Sequence, residues 1–177
     1  MKKIYLRFIP LIATLFACFS CASNPPIQKT PVLTAYMANS NLKYYIRPTR
    51  LESENYKSDN AYVMLDFTYQ MKEREYATDA YTNFSLYYKT TNYITSASFL
   101  LQDGTTVPLE NITLLDRDTK QAYLRVSAIL EKTKIKLVLN ELCYNDASLQ
   151  ITLDDGTTLR FFPTAEAKTK ISDVFSK

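Results

Sequence analysis

Ala61-Tyr62-Val63-Met64-Leu65-Asp66-Phe67-Thr68-Tyr69-Gln70-Met71 is the stretch from which the fold is read. In an extended chain, Ala61, Val63, Leu65, Phe67, Tyr69 and Met71 share one face. Tyr62, Met64, Asp66, Thr68 and Gln70 share the other. A period of two marks a half-buried strand with one face on a core and one in water. That arrangement belongs to antiparallel sheets, so the expectation from here outward is β structure.

Toward the N-terminus, Leu42-Lys43-Tyr44-Tyr45-Ile46-Arg47 reads as a strand ended by Pro48, which has no N–H for a ladder. Residues 49–60 are polar and contain the turn cluster Ser58-Asp59-Asn60. Toward the C-terminus, Lys72-Glu73-Arg74-Glu75 reads as a solvated connection. Strands follow over 81–89, with Phe84, Leu86 and Tyr88 on one face, and over 93–102. Asp103-Gly104 turns the chain and Thr105 to Leu109 returns, a hairpin pattern. Asp116-Arg117-Asp118-Thr119-Lys120 reads as a loop and Gln121 to Val126 as a strand. Ser127 to Lys132 suits a helical turn or a continued strand. Ile135, Leu137 and Leu139 then alternate with Lys134, Lys136 and Val138 as another strand would.

A second hairpin joins Ser148–Leu153 to Thr157–Phe162 through Asp154-Asp155-Gly156. The chain's two glycines both stand in Asp-Gly-Thr-Thr, at 103–106 and 155–158, where a turn requires positive φ. The flanking segments do not align, so the repeat reads as shared hairpin chemistry rather than duplication. Pro163 stops the last strand, and Thr164 is an N-cap candidate. Ala167, Ile171, Val174 and Phe175 then recur on one helical face, with Phe175 expected to be buried. The predicted fold is mainly β. It is a single antiparallel β-sandwich or curled-sheet domain over residues 42–177 with a short C-terminal helix. The alternative is an α+β sheet in which residues 127–133 form a second helix.

The N-terminus reads differently. Lys2, Lys3 and Arg7 precede an apolar run, Phe8 to Phe16. That run is shorter than the roughly 20 residues a bilayer span needs and has the layout of a signal peptide over residues 1–17. Leu15-Phe16-Ala17-Cys18 follows, with Ser20-Cys21 just beyond. Here the chain resembles the lipobox of bacterial lipoproteins, Leu-x-small-Cys. The resemblance covers the first 21 residues. It implies diacylglyceryl transfer to a cysteine thiol, cleavage before that cysteine and acylation of the new amino group. Cys18 fits the pattern best, with Leu at −3 and Ala at −1. Cys21 is the alternative, which relaxed lipoboxes of the kind seen in spirochaete lipoproteins would accept. Residues 18–41, with Pro25, Pro26 and Pro31, read as a lipidated cysteine and Pro-rich tether, in which Val32 to Met37 is apolar enough to dock on the domain and end the loose part near Pro31. The address implied is export to the cell membrane or outer membrane, with the domain facing the periplasm or the cell exterior.

Composition narrows the chemistry. The chain has 21 Lys+Arg and 18 Asp+Glu, and removing Lys2, Lys3 and Arg7 leaves 18 of each. A neutral mature chain lacks the basic face that nucleic acid requires, so no nucleic-acid partner is expected. With no histidine, His-based triads and most zinc or copper sites are excluded. Two glycines cannot build a phosphate loop or a dinucleotide fingerprint. No cofactor and no metal are expected. Cys143 reads as a small buried apolar residue, with a disulfide to a Cys21 retained after cleavage at Cys18 as the alternative.

Asp116-x-Asp118 and Asp154-Asp155 are the densest carboxylate groups. They lack the alternating ligands and closing Glu of a calcium loop, and they read as turns. The 14 tyrosines are the strongest surface signal. In doublets such as Tyr87-Tyr88 one ring must face each side of the sheet. Outward rings among Tyr44, Tyr45, Tyr62, Tyr87, Tyr88 and Tyr93 form a candidate binding face, because tyrosine is enriched at interfaces. Otherwise they cap core edges and pair across strands. The expected function is a lipid-anchored, non-catalytic binding or structural module of the cell envelope with a protein or glycan partner. A carboxylate-based hydrolase and a small-ligand carrier are the alternatives.

Overall fold

The computed structural model describes residues 30–55, 60–90, 92–118, 120 and 122–175. The stretch read as a signal peptide, Cys18, Cys21 and most of the segment read as a tether lie outside the described residues. The strands are β1 (Val32–Tyr36), β2 (Leu42–Ser53), β3 (Tyr62–Lys72), β4 (Glu75–Tyr76), β5 (Ala80–Tyr87), β6 (Ile94–Leu100), β7 (Thr106–Pro108), β8 (Glu110–Asp118) and β9 (Tyr123–Leu130). Helix α1 (Lys132–Tyr144), strands β10 (Ser148–Leu153) and β11 (Thr158–Pro163), and helix α2 (Ala165–Ser172) complete the order. All strands join one antiparallel sheet in the order β7-β6-β10-β11-β2-β3-β5-β9-β8, with β1 on β2 and β4 on β3.

The sheet curls until it is nearly a barrel. Residues 106–118 do most of the closing, because β7 pairs with β6 at one end of the sheet and β8 pairs with β9 at the other. Between them the Leu109 amide donates to the Ala97 carbonyl at 2.9 Å. Two register shifts then bend β8. A cleft of about 170 Å³ lined by Tyr93, Ile94, Ile112, Leu114, Leu124 and Val126 remains at the seam. Inside, Val63, Leu65, Phe67, Phe84, Leu86, Phe99 and Phe161 are all 0 % exposed, so the curled sheet encloses a packed core.

The two Asp-Gly turns have the same geometry. Gly104 and Gly156 have φ of 86° and 82°, and Asp103 and Asp155 each accept from the amide two residues on at 2.8 Å. Thr164 caps α2, its Oγ1 accepting from the Ala167 amide at 3.2 Å. Cys143 is buried on α1.

Five sequence expectations are corrected. The domain begins at β1, ten residues before Leu42, because Val32–Tyr36 pairs in register with β2 from Ile46 to Leu42. Pro48 does not end β2. Three residues from Ile46 to Thr49 span two on β3, from Phe67 to Leu65. The extra residue makes a bulge that accommodates proline's missing donor. The bulge also switches parity, so that Ile46 and then Thr49, Leu51 and Ser53 point inward. Asp116 and Asp118 lie on the exposed strand β8, not in a loop. Residues 132–144 are helical, neither the expected strand nor a helix over 127–133. Ile135, Val138, Leu139, Leu142 and Cys143 are buried at helical spacing. Asp79 supplies the cap that Glu131 does not, accepting from the Lys132 amide at 2.9 Å. Phe175 remains 37 % exposed, its ring against Tyr144 at the end of α1.

α1 and α2 pack on each other, with α1 also against β4 and β11 and α2 against β2 and β11. Their apolar faces join the core of the sheet. The outer face of β2, β3, β5 and β9 is left to solvent, and the tyrosines collect there.

Candidate functional site

Strand parity decides which tyrosines share a surface. On β3 the odd positions are buried, so Tyr62, Met64, Asp66, Thr68 and Gln70 face outward. Register aligns Tyr62 with Glu52 on β2 and Tyr87 on β5, and Tyr87 with Tyr123 on β9. The result is a row of side chains running across four strands.

The row is laminated. Tyr62 and Tyr87 stack with centroids 4.4 Å apart and planes 9° apart. Tyr123 leans on Tyr87 at 5.1 Å and 50°. The Arg50 guanidinium lies 4.2 Å above the Tyr62 ring, and its Nε is 3.1 Å from Glu52. Tyr62 and Tyr87 therefore each lie between two neighbours, and Tyr123 ends the row. Burial in the row raises the Tyr87 pKa, as do Tyr62 and Tyr123, while Arg125 opposes the rise.

Beside the row lies a charged centre. Asp66 is on the outward side of β3 yet only 2 % exposed. Asn83 Nδ2 donates to its Oδ1 at 2.8 Å, and Arg125 Nη2 approaches Oδ2 at 3.4 Å. Arg125 Nη1 also donates to Ser85 Oγ at 3.3 Å. Burial raises the Asp66 pKa, against the Asn83 hydrogen bond and Arg125. Tyr45 is raised by burial and by the Asp66 charge.

No family model, curated protein or solved structure matches this chain. The arrangement of the residues themselves is therefore the basis for any reading of function.

The structure divides the six candidate tyrosines. Tyr62 and Tyr87 stand together in the row, with Tyr45 farther along the same outward face. Tyr44 is only 8 % exposed and stacks inside on Tyr69 at 5.3 Å, with Tyr76 tilted against Tyr69 at 5.2 Å. Tyr88 packs against the core. The two doublets thus split one ring to each side, as pleating requires. Tyr93 lies at the seam under Arg117, 4.7 Å from ring to guanidinium. Arg50, Asp66, Tyr123 and Arg125 were not among the sequence candidates. Tyr123 lies 36 residues beyond its partner Tyr87, and only the β5–β9 pairing brings them together.

The acidic groups bond to backbone amides close to them in the chain. Asp116 Oδ1 accepts from the Arg117 amide at 2.8 Å, and Asp118 Oδ1 from the Lys120 amide at 2.8 Å. Asp155 also accepts a short hydrogen bond from Asn92. Among the described residues no three acidic or cysteine side chains converge as metal ligands.

Asp66 makes a test of this site in pH. Its folded pKa lies above its unfolded value, so the folded state holds this proton more tightly. The resulting stabilisation is complete below the unfolded pKa and is lost as pH rises through the folded one. Relative to the Asp66→Asn variant, the wild type should lose melting temperature upward from about pH 4. A difference that is flat or grows in favour of the wild type on that ramp would contradict the desolvated carboxylate.

Proposed function

We propose that this chain is a non-catalytic binding module of the cell envelope. A lipid on Cys18, with Cys21 as the alternative, holds it to the membrane, and the outer face of β2, β3, β5 and β9 docks a protein partner. The laminated row Arg50–Tyr62–Tyr87–Tyr123 carries the docking reading. Tyrosine and arginine are the residue types on which interface energy concentrates. These side chains are already ordered by stacking, so binding costs them little further rotamer entropy. A sugar would need an exposed ring face, and at Tyr62 and Tyr87 neighbours lie on both sides of the ring. A protein surface can use edges, hydroxyls and the guanidinium. The anchor is supported by the lipobox alone. Two or more acyl chains would give stable attachment where one would be reversible.

The docking test is photocrosslinking in cells from a probe at Tyr123, with Thr158 on β11 as the control position. A discrete adduct should form from Tyr123, and Tyr87→Ala should reduce it about tenfold while the melting curve keeps its shape. Equal adduct from both positions would remove the row as the docking surface.

A further inference from the structure

A second feature of the outer face lies away from the tyrosine row, where β3 gives way to β4 and β5 begins. Lys43, Thr68, Gln70, Thr78, Asp79, Tyr81 and Ile129 surround a cleft of about 360 Å³. That volume is at the lower end of the roughly 300–1,000 Å³ typical of small-ligand sites, and it suits one ring better than a length of polymer. We propose that this cleft binds one pyranose unit of a saccharide.

Three of its polar residues are held by different parts of the fold. Gln70 Oε1 accepts from Asn41 Nδ2 at 2.9 Å, and Asn41, in the β1–β2 connection, is itself 8 % exposed. This fixes the Gln70 amide and leaves its Nε2 donors for the cleft. Thr78 Oγ1 accepts from the Gln70 amide at 3.1 Å, which ties the β4–β5 connection to β3. Asp79 Oδ1 accepts from the first amide of α1, so a helix start orients that carboxylate. The groups facing the cleft are therefore set before any ligand arrives, which is what specific recognition of a small polar molecule needs.

The aromatic side chain differs from those in the row. Tyr81 is 59 % exposed, and among the described residues its ring meets no other ring or guanidinium. Its face is free. Ile129, its cross-strand neighbour on β9, extends the apolar side. The cleft thus offers an aromatic and aliphatic patch opposite amide, hydroxyl, carboxylate and ammonium groups. A pyranose has the matching halves, with C–H bonds for the ring and adjacent hydroxyls for the planar amide and carboxylate. A phosphate is a poorer match, because Asp79 offsets the single cation Lys43. An acyl chain would desolvate five polar side chains, Lys43, Thr68, Gln70, Thr78 and Asp79, without offering them partners.

This inference is independent of the protein-docking reading, and the test separates them. The full chain in mild detergent is titrated with a panel of soluble oligosaccharides of glucose, galactose, mannose, N-acetylglucosamine and uronic acids. Saturation-transfer NMR reads binding. At least one sugar should bind saturably, with Tyr81→Ala and Gln70→Ala each weakening it about tenfold and Tyr87→Ala leaving it unchanged. Tyr81 is exposed, so its variant should keep the wild-type melting temperature. Absence of saturable binding across the panel overturns the proposal. So does binding indifferent to Tyr81→Ala, or binding abolished by Tyr87→Ala, which would move the sugar to the row. Crosslinking at Tyr123 stands or falls separately.

Discussion

Phe67→Ala should lower the unfolding free energy by about 3–5 kcal/mol, the range for removing a fully buried phenylalanine. Phe67 sits mid-strand on β3 and is 0 % exposed. Its ring meets Phe99 of β6 at 6.1 Å and 26°. Three strands separate β6 from β3 in the sheet order, so the contact crosses the interior. It exists only because the sheet curls back on itself. The alanine would leave a void walled by rigid, closely packed strands, so the transfer loss and the cavity cost should both be felt. Domains are stable by only about 5–15 kcal/mol, so one change should take about a fifth of the total or more. Urea unfolding is the measurement, with the midpoint falling while the slope holds. Met64→Ala, three residues away on the outward face, is the control and should cost well under half as much. A Phe67→Ala loss below about 1 kcal/mol would mean that the two rings do not share a closed core.

The second large effect concerns α1. Leu139→Ala should cost about 2–5 kcal/mol and Leu137→Ala about 0.5 kcal/mol or less. Leu139 is 0 % exposed, whereas Leu137 is 41 % exposed. The pair separates two readings of the same residues. A strand would place Ile135, Leu137 and Leu139 on one face, with similar costs at all three. A helix places Ile135 and Leu139 inward, one turn apart, and turns Leu137 away. Thermal or urea midpoints of the two variants decide between them, and equal losses would return this segment to a strand. Ala also favours the helix more than Leu does, which further reduces the cost at the exposed position.

The same segment shows why a short apolar run misleads. From Lys134 to Leu137 the alternation of charged and apolar residues fits a period of two. Val138 and Leu142 break that period, and with Ile135, Leu139 and Cys143 they fit 3.6. The choice was therefore legible only over the full 13 residues of the helix. β8 misled in the opposite way. Its polar composition resembles a loop because it is an edge strand with most of its side chains in water. Pro48 resembled a strand end because the bulge that accommodates it is created by pairing with β3.

At the candidate site, doublet parity was readable and row membership was not. Tyr87-Tyr88 must divide between two faces whatever the fold. That Tyr87 lies between Tyr62 and Tyr123 depends on β3 and β9 being its neighbours. Asp66 appeared in the sequence as an ordinary outward residue, and only its setting near Arg125, Asn83 and Tyr45 buries it.

By itself the sequence determined most strand periods, both glycine turns, the N-cap of the C-terminal helix at Thr164 and a mainly β, antiparallel fold. These follow from backbone stereochemistry and from burial patterns among near neighbours in the chain. Only the tertiary structure decided the closing of the sheet, the tyrosine row and the cleft at Tyr81. Each of these depends on which distant segments pair. A strand's own residues fix its inward and outward faces, while its neighbours are chosen by how the whole chain fills one core.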